Sequence, residues 1–123
     1  MSGQNVLVDT NSFIYLLRGH STAAEILIHK SIFISFISEI EPLSFQKSTE
    51  REAKLIEDIL QNSHVIHSNP FISKIATFSR RNEGLKLPDA IIAASAKYLQ
   101  LPLITADKKI LKIPNFESIE YQP

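Results

Sequence analysis

The chain contains no cysteine at all. That excludes a disulfide framework and any thiolate metal site, and it is compatible with a reducing cytosol. Only three glycines occur in 123 residues. No glycine-rich loop is available to cradle a phosphate, and neither GxGxxG nor a Walker A pattern is present. There is no excess of either charge: thirteen basic and thirteen acidic side chains cancel. A general nucleic-acid coat protein would usually be basic. A nuclease is not excluded by neutrality, because bound divalent cations offset acids locally. Long apolar runs are also missing. The richest, Ile32 to Ile37, is interrupted by Ser35 and is far too short to span a bilayer. The opening MSGQNVLVDT lacks a basic segment followed by an apolar one, so no signal peptide is expected, and Ser2 fails the N-myristoylation pattern. A cytoplasmic protein with no membrane association is the expectation.

What is present is an apolar content of 44%, enough for a real core. The length suits one domain over residues 1–123. No repeat, low-complexity tract or linker interrupts it. Asn5–Asp9 reads as a buried strand. Asn11–Leu17 shows helical spacing, with Gly19 as a stop. Thr22–His29 reads as a second helix, and Ser31–Phe36 as a strand. Ser38 is placed to cap a helix carrying Glu39 and Glu41, with Pro42 near its first turn. Thr49 and Glu52 form a capping box, opening a helix with an Ala53, Ile56, Leu60 stripe. Val65 and Ile66 form a short strand. Asn69-Pro70 starts the next helix, where Phe71, Ile75 and Phe78 recur at helical spacing up to Gly84. Pro88 opens a helix from Asp89 to Leu99. Leu103–Thr105 is a strand, Asp107–Leu111 a helical turn and Ser118–Tyr121 a last strand. This alternation predicts an α/β fold: a three-layer α/β/α sandwich on a mostly parallel sheet of four to five strands.

Four acids stand out against that frame: Asp9, Glu41, Asp89 and Asp107. Three lie where an apolar segment gives way to a helix or a turn. In a parallel sheet the carboxyl ends of the strands share one edge, and ligands bind there. Residues distant in sequence are therefore expected to converge. At about 4 Å and an effective dielectric of about 20, each close pair of carboxylates costs on the order of 4 kcal/mol. Such a cluster calls for cations, and hard oxygen donors select magnesium or manganese. Each acid also has an ordinary role. Asp9 suits a helix cap, Asp89 complements a helix dipole, Glu41 suits a solvated helix face and Asp107 suits a turn. The helix after Asp89, AIIAASA, is small and nearly uncharged, so a carboxylate at its mouth lies close to the core. The Thr105 hydroxyl is placed to bond a phosphate or an ion's water. His64 and His67 fall on opposite strand faces, which argues against a shared metal. Lys74, Arg80, Arg81 and Lys86 bracket Asp89, and Lys108 and Lys109 follow Asp107. Arg80, Arg81, Lys86 and Lys108 are candidates for phosphate contact. Phe13, Tyr15 and Phe45 suit a core or a partner surface better than base stacking.

VLVDTNSFIYLL, then ISFISEIE, then LPDAIIAASA, then LITADKKIL resembles the PIN-domain ribonucleases, and within them the VapC-like toxins of VapBC toxin–antitoxin pairs. The likeness runs over essentially the whole chain. It implies a PIN-like fold and a metal-dependent endoribonuclease that hydrolyses RNA phosphodiester bonds with magnesium or manganese. Its four acids map onto Asp9, Glu41, Asp89 and Asp107, the family spacing selecting Glu41 over Glu39. Asn11 and Thr105 match its polar supporting positions. Pro42 departs from the leucine more usual there. The resemblance also implies a small antitoxin partner and a homodimer, to which apolar Phe13–Leu17, Ile26–Ile28, Leu43 and Phe45 would contribute surface. Two other readings stand beside it. One is a PIN-like module acting by partner binding without catalysis. The other is an aspartyl-phosphate phosphotransferase built on Asp9, although its expected second Asp is Asn11. A response-regulator receiver would need its phosphoacceptor after Val65-Ile66, where the chain has His67-Ser68-Asn69.

Overall fold

In a computed structural model, five strands form one fully parallel sheet in the order β3-β2-β1-β4-β5. The structure describes residues 4–17, 30–41, 44, 49–114 and 117–120. The strands are β1 (Asn5–Val8), β2 (Ser31–Ser35), β3 (His64–Ile66), β4 (Leu103–Thr105) and β5 (Ser118–Glu120). The helices are α1 (Thr10–Leu17), α2 (Phe36–Ile40), α3 (Glu50–Gln61), α4 (Pro70–Asn82), α5 (Leu87–Leu99) and α6 (Lys108–Leu111). The expected helix over Thr22–His29, the stop at Gly19, and the positions of Pro42, Leu43 and Phe45 lie outside the described residues.

The strands read as uninterrupted apolar runs because both faces are covered. Alternate residues serve opposite layers. Val6 and Val8 pack with Ile34, Ile104 and Phe13 of α1, and Ile59 and Leu60 of α3 close that side. Leu7 and Leu103 pack the other way, against Ile72 and Ala76 of α4 and the alanines of α5. The small residues of α5 let that helix lie close to the sheet: Ala90, Ala93, Ala94 and Ala96 are all buried.

Three expectations shift. Strand β2 ends at Ser35, which caps α2 by accepting the Ile37 N–H at 3.2 Å. Ser38 is therefore not the cap. It is buried within α2, and Glu41 closes the helix at its C-terminal end. On α4 the inward face is Ile72, Ala76 and Ser79, whereas Phe71 and Phe78 are 60% and 58% exposed. Asn69 caps this helix, its side chain accepting from the Ile72 N–H at 2.9 Å, and Ile72 and Ala76 pack into the core cluster beside Leu7 and Leu103. Phe13 is fully buried in the chain's own core, so it offers no surface to a partner. Gly84, at φ +67°, follows α4 in the left-handed conformation that glycine tolerates.

The rotation of α4 has a direct test. Ile72→Ala should cost about 2–5 kcal/mol of folding stability, while Phe78→Ala should cost less than about 1 kcal/mol. Urea midpoints of the two variants, at unchanged slope, read the difference. Equal losses would mean that the helix is turned otherwise.

Candidate metal centre

The chain runs outward from β1 to β2 and β3 in one direction, then crosses to β4 and β5 in the other. The sheet therefore switches direction between β1 and β4, where open α/β sheets bind ligands at their carboxyl edge. Val8 is in register with Ile104, and the Asp9 N–H continues the ladder to the Ile104 carbonyl at 3.1 Å. That register sets Asp9 beside Thr105. Thr105, fully buried, donates its hydroxyl to Asp9 Oδ2. The same hydroxyl accepts the Asp107 N–H at 3.0 Å. It ties two acids together.

The other oxygen of Asp9, Oδ1, accepts the Ser12 N–H at 2.8 Å and so caps α1. Asp107 in turn caps α6, taking the Lys109 and Ile110 N–H groups at 2.8 and 3.3 Å. Both acids thus serve as caps and as site residues together. Glu41 is held from α1: the Thr10 hydroxyl lies 3.3 Å from its Oε1 and 2.8 Å from the Ser38 hydroxyl. Asp89 sits in the first turn of α5. Its carboxylate makes no hydrogen bond to any described residue.

All four acids line one cavity of about 200 Å³, together with Thr10, Asn11 and Lys86. Glu39 does not line it. Lys108 joins Asp89 and Asp107 on an adjoining cavity. Arg80 and Arg81, in the last turn of α4, line neither. His64 and His67 are taken up elsewhere, stacked on Phe33 and Phe36 with ring centres 4.7 and 6.3 Å apart. Sequence reasoning passed over Thr10 and gave Ser38 only a capping role. The signal available for Thr10 was its place directly after Asp9, at the first helical residue.

The acids feel one another. Burial raises the Asp9 carboxyl above its ordinary range, hydrogen bonds from Thr105 and Ser12 oppose that, and the charge on Asp107 adds to the rise. Burial also raises Asp89, followed by the charges of Asp107, Asp9 and Glu41, with Lys86 opposing. An all-oxygen donor set with this repulsion suits a hard divalent cation. Among the described residues no three Asp, Glu or His side chains are grouped tightly enough to enclose an ion directly. An ion bound here would have to complete its shell with water.

A family model described as PIN domain matches residues 6–115. Among solved structures, a toxin–antitoxin complex from Klebsiella pneumoniae holds a chain 31% identical, with a TM-score of 0.78 over 89% of this chain and 92% of that one. VapBC2 from Rickettsia felis, bound to a promoter DNA fragment, matches at 20% identity and a TM-score of 0.79, covering 97% and 100%. DNA-bound VapBC from Salmonella typhimurium matches at 18% and 0.81, covering 96% and 98%. These last two likenesses are of fold. No curated protein sequence matches the chain.

Because Asp89 keeps its proton to higher pH in the folded chain than unfolded, its charged form destabilises the fold. That cost is absent below the ordinary value of 3.8 and grows as pH rises through the raised folded value. Without divalent ions, Asp89→Asn should therefore melt above the unsubstituted chain at pH 7, and the gap should close as pH falls toward about 4. A variant that melts lower at neutral pH would contradict this electrostatic picture.

Proposed function

The chain belongs to the PIN-domain family, and from that premise we propose that it is a magnesium- or manganese-dependent endoribonuclease and the toxin of a toxin–antitoxin pair. The observation that carries the reading is the convergence of four acids, from four separate segments, on one cavity at the sheet's switch point. Asp9, Glu41, Asp89 and Asp107 would hold the ion. When bound, it supplies Lewis acidity and offsets phosphate charge.

The chain's own groups divide the remaining work. Asp9 has both oxygens engaged, by Ser12 and Thr105, so it is a fixed reference for the site. Asp107 Oδ1 is committed to the α6 backbone. Asp89 has no such commitment among the described residues, which leaves it best able to accept a proton from the attacking water. Lys86, in the same cavity, offers a cation to a non-bridging phosphate oxygen. Asn11 lines the cavity as a polar contact. No nucleophilic Ser, Cys or Lys is needed.

The partner follows from the neighbours, several of which were solved as toxin–antitoxin complexes. A carboxylate cluster is a natural receptor for an arginine side chain, so an antitoxin segment that places one there would block the site. Homodimerisation and a cytoplasmic location belong to the same proposal. No helix among the described residues is long and apolar enough to cross a membrane.

The test is cleavage of total cellular RNA by the purified chain. Magnesium should be required. Asp89→Asn should lower kcat by at least about a hundredfold, since positioned proton transfer contributes that much, while the circular dichroism spectrum stays unchanged. Equal cleavage with and without the carboxylate would overturn the assignment. A folded, metal-loaded chain that cleaves no RNA would favour the partner-binding alternative.

A further inference from the structure

Of the four acids, Glu41 has the least reason to stay with the others. It closes α2 at the C-terminal end and is half-buried. Its charge opposes that of Asp89. A long side chain gains entropy when it is free to turn, so both terms would send Glu41 out into water. Yet it lines the acid cavity.

Two hydroxyls hold it there. Ser38 stands one helical turn before Glu41, on the same face, and is fully buried. Its Oγ lies 2.8 Å from Thr10 Oγ1, which lies 3.3 Å from Glu41 Oε1. Each hydroxyl has one proton to give. An ionised carboxylate only accepts, so the Thr10 proton goes to Glu41. Thr10 then accepts from Ser38, whose buried proton needs such a partner. The hydrogen bonds therefore run one way, from Ser38 to Thr10 to Glu41, and each link polarises the next. Thr10 directly follows Asp9 at the start of α1, and Asp9 is fixed against β4 through Thr105 and the Ile104 carbonyl. The sheet's register is thus carried across to an acid on α2. Among the described residues nothing hydrogen-bonds Glu41 Oε2, which leaves that oxygen for an ion.

We propose that Thr10 and Ser38 are positioning residues of the acid site, a directed pair of hydroxyls that holds Glu41 among the other carboxylates ready for a divalent ion. The inference rests on the divalent-ion reading of the acid cluster and deepens it. Groups that orient a metal-binding side chain commonly matter about tenfold or more to metal affinity. The rival role is packing alone, a link between α1 and α2 with no bearing on the ion. Replacing both hydroxyls together separates the two roles. It leaves no buried polar group without a partner, so the fold changes little in stability, while Glu41 loses its tether.

Manganese(II) binding to the full chain is measured by isothermal titration calorimetry, and melting is measured without metal at pH 7. T10V/S38A should bind manganese at least about tenfold more weakly than the unsubstituted chain. T10V alone should weaken it to the same extent, because Ser38 acts only through Thr10; it also serves if the double variant does not fold. T10S keeps the hydroxyl and should match the unsubstituted chain within about twofold. In an E41Q background, T10V/S38A should weaken manganese no further. Without metal, E41Q should raise the melting temperature by about 2 °C in the tethered chain, by relieving like-charge repulsion. In the T10V/S38A or T10V chain it should raise it by nothing, because Glu41 is already free to turn away. Manganese affinity unchanged in T10V/S38A and T10V would overturn the tether, as would a loss of equal size with and without the Glu41 carboxylate. So would failure of T10S to restore binding. An unsubstituted chain that binds no manganese would instead overturn the divalent-ion reading. The metal-free melting cycle then still judges the tether: an equal rise from E41Q in the tethered and untethered chains would overturn it.

Discussion

The Thr105 hydroxyl, wedged between Asp9 and the Asp107 backbone, is the interaction on which the rest depends. It exists because β1 and β4 are parallel neighbours in a register that sets Val8 against Ile104. One residue of slip would point Thr105 to the wrong layer. The two clusters of core side chains, one on each face of the sheet, make that slip costly, since every apolar residue of β4 would exchange faces. Core packing thus fixes the positions of two charged groups that the core itself does not want.

That arrangement runs against stability. A buried carboxylate needs hydrogen bonds to remain charged, and Asp9 has them from Thr105 and Ser12. Asp89 faces three acids and only Lys86 in compensation. The fold tolerates this by giving two of the acids structural work. Asp9 caps α1 and Asp107 caps α6, so removing either loosens a helix as well as a charge. Asp89 does neither, and it is where repulsion and structural need are most cleanly separated.

Much of this was legible in the sequence, and the reasons are local. Buried parallel strands read as short apolar runs, so Val6–Val8 and Leu103–Thr105 announced both themselves and the acids after them. The Asn69-Pro70 start held because cap chemistry is set by neighbouring residues. Rotation about a helix axis was harder. Phe71 and Phe78 look like core residues, but Ile72 and Ala76 took the inward face, and aromatic bulk gives no sign of direction. Serine placement failed for a similar reason: Ser35 and Ser38 can both cap, and only the end of β2 decides between them. Arg80 and Arg81 looked near Asp89 in sequence, yet the turn at Gly84 carries the chain between them, and they line no wall of the acid cavity.

The central claim is that four acids from distant segments form one divalent-ion site. Electron paramagnetic resonance of manganese(II), titrated with the purified chain, tests it most directly because it counts ions without requiring catalysis. The account predicts one or two bound ions per chain, displaced by excess magnesium, and a much weakened signal change when Asp89 is replaced by Asn. Manganese that stays free in the presence of the folded chain, or that binds equally well to the Asp89→Asn variant, would contradict it.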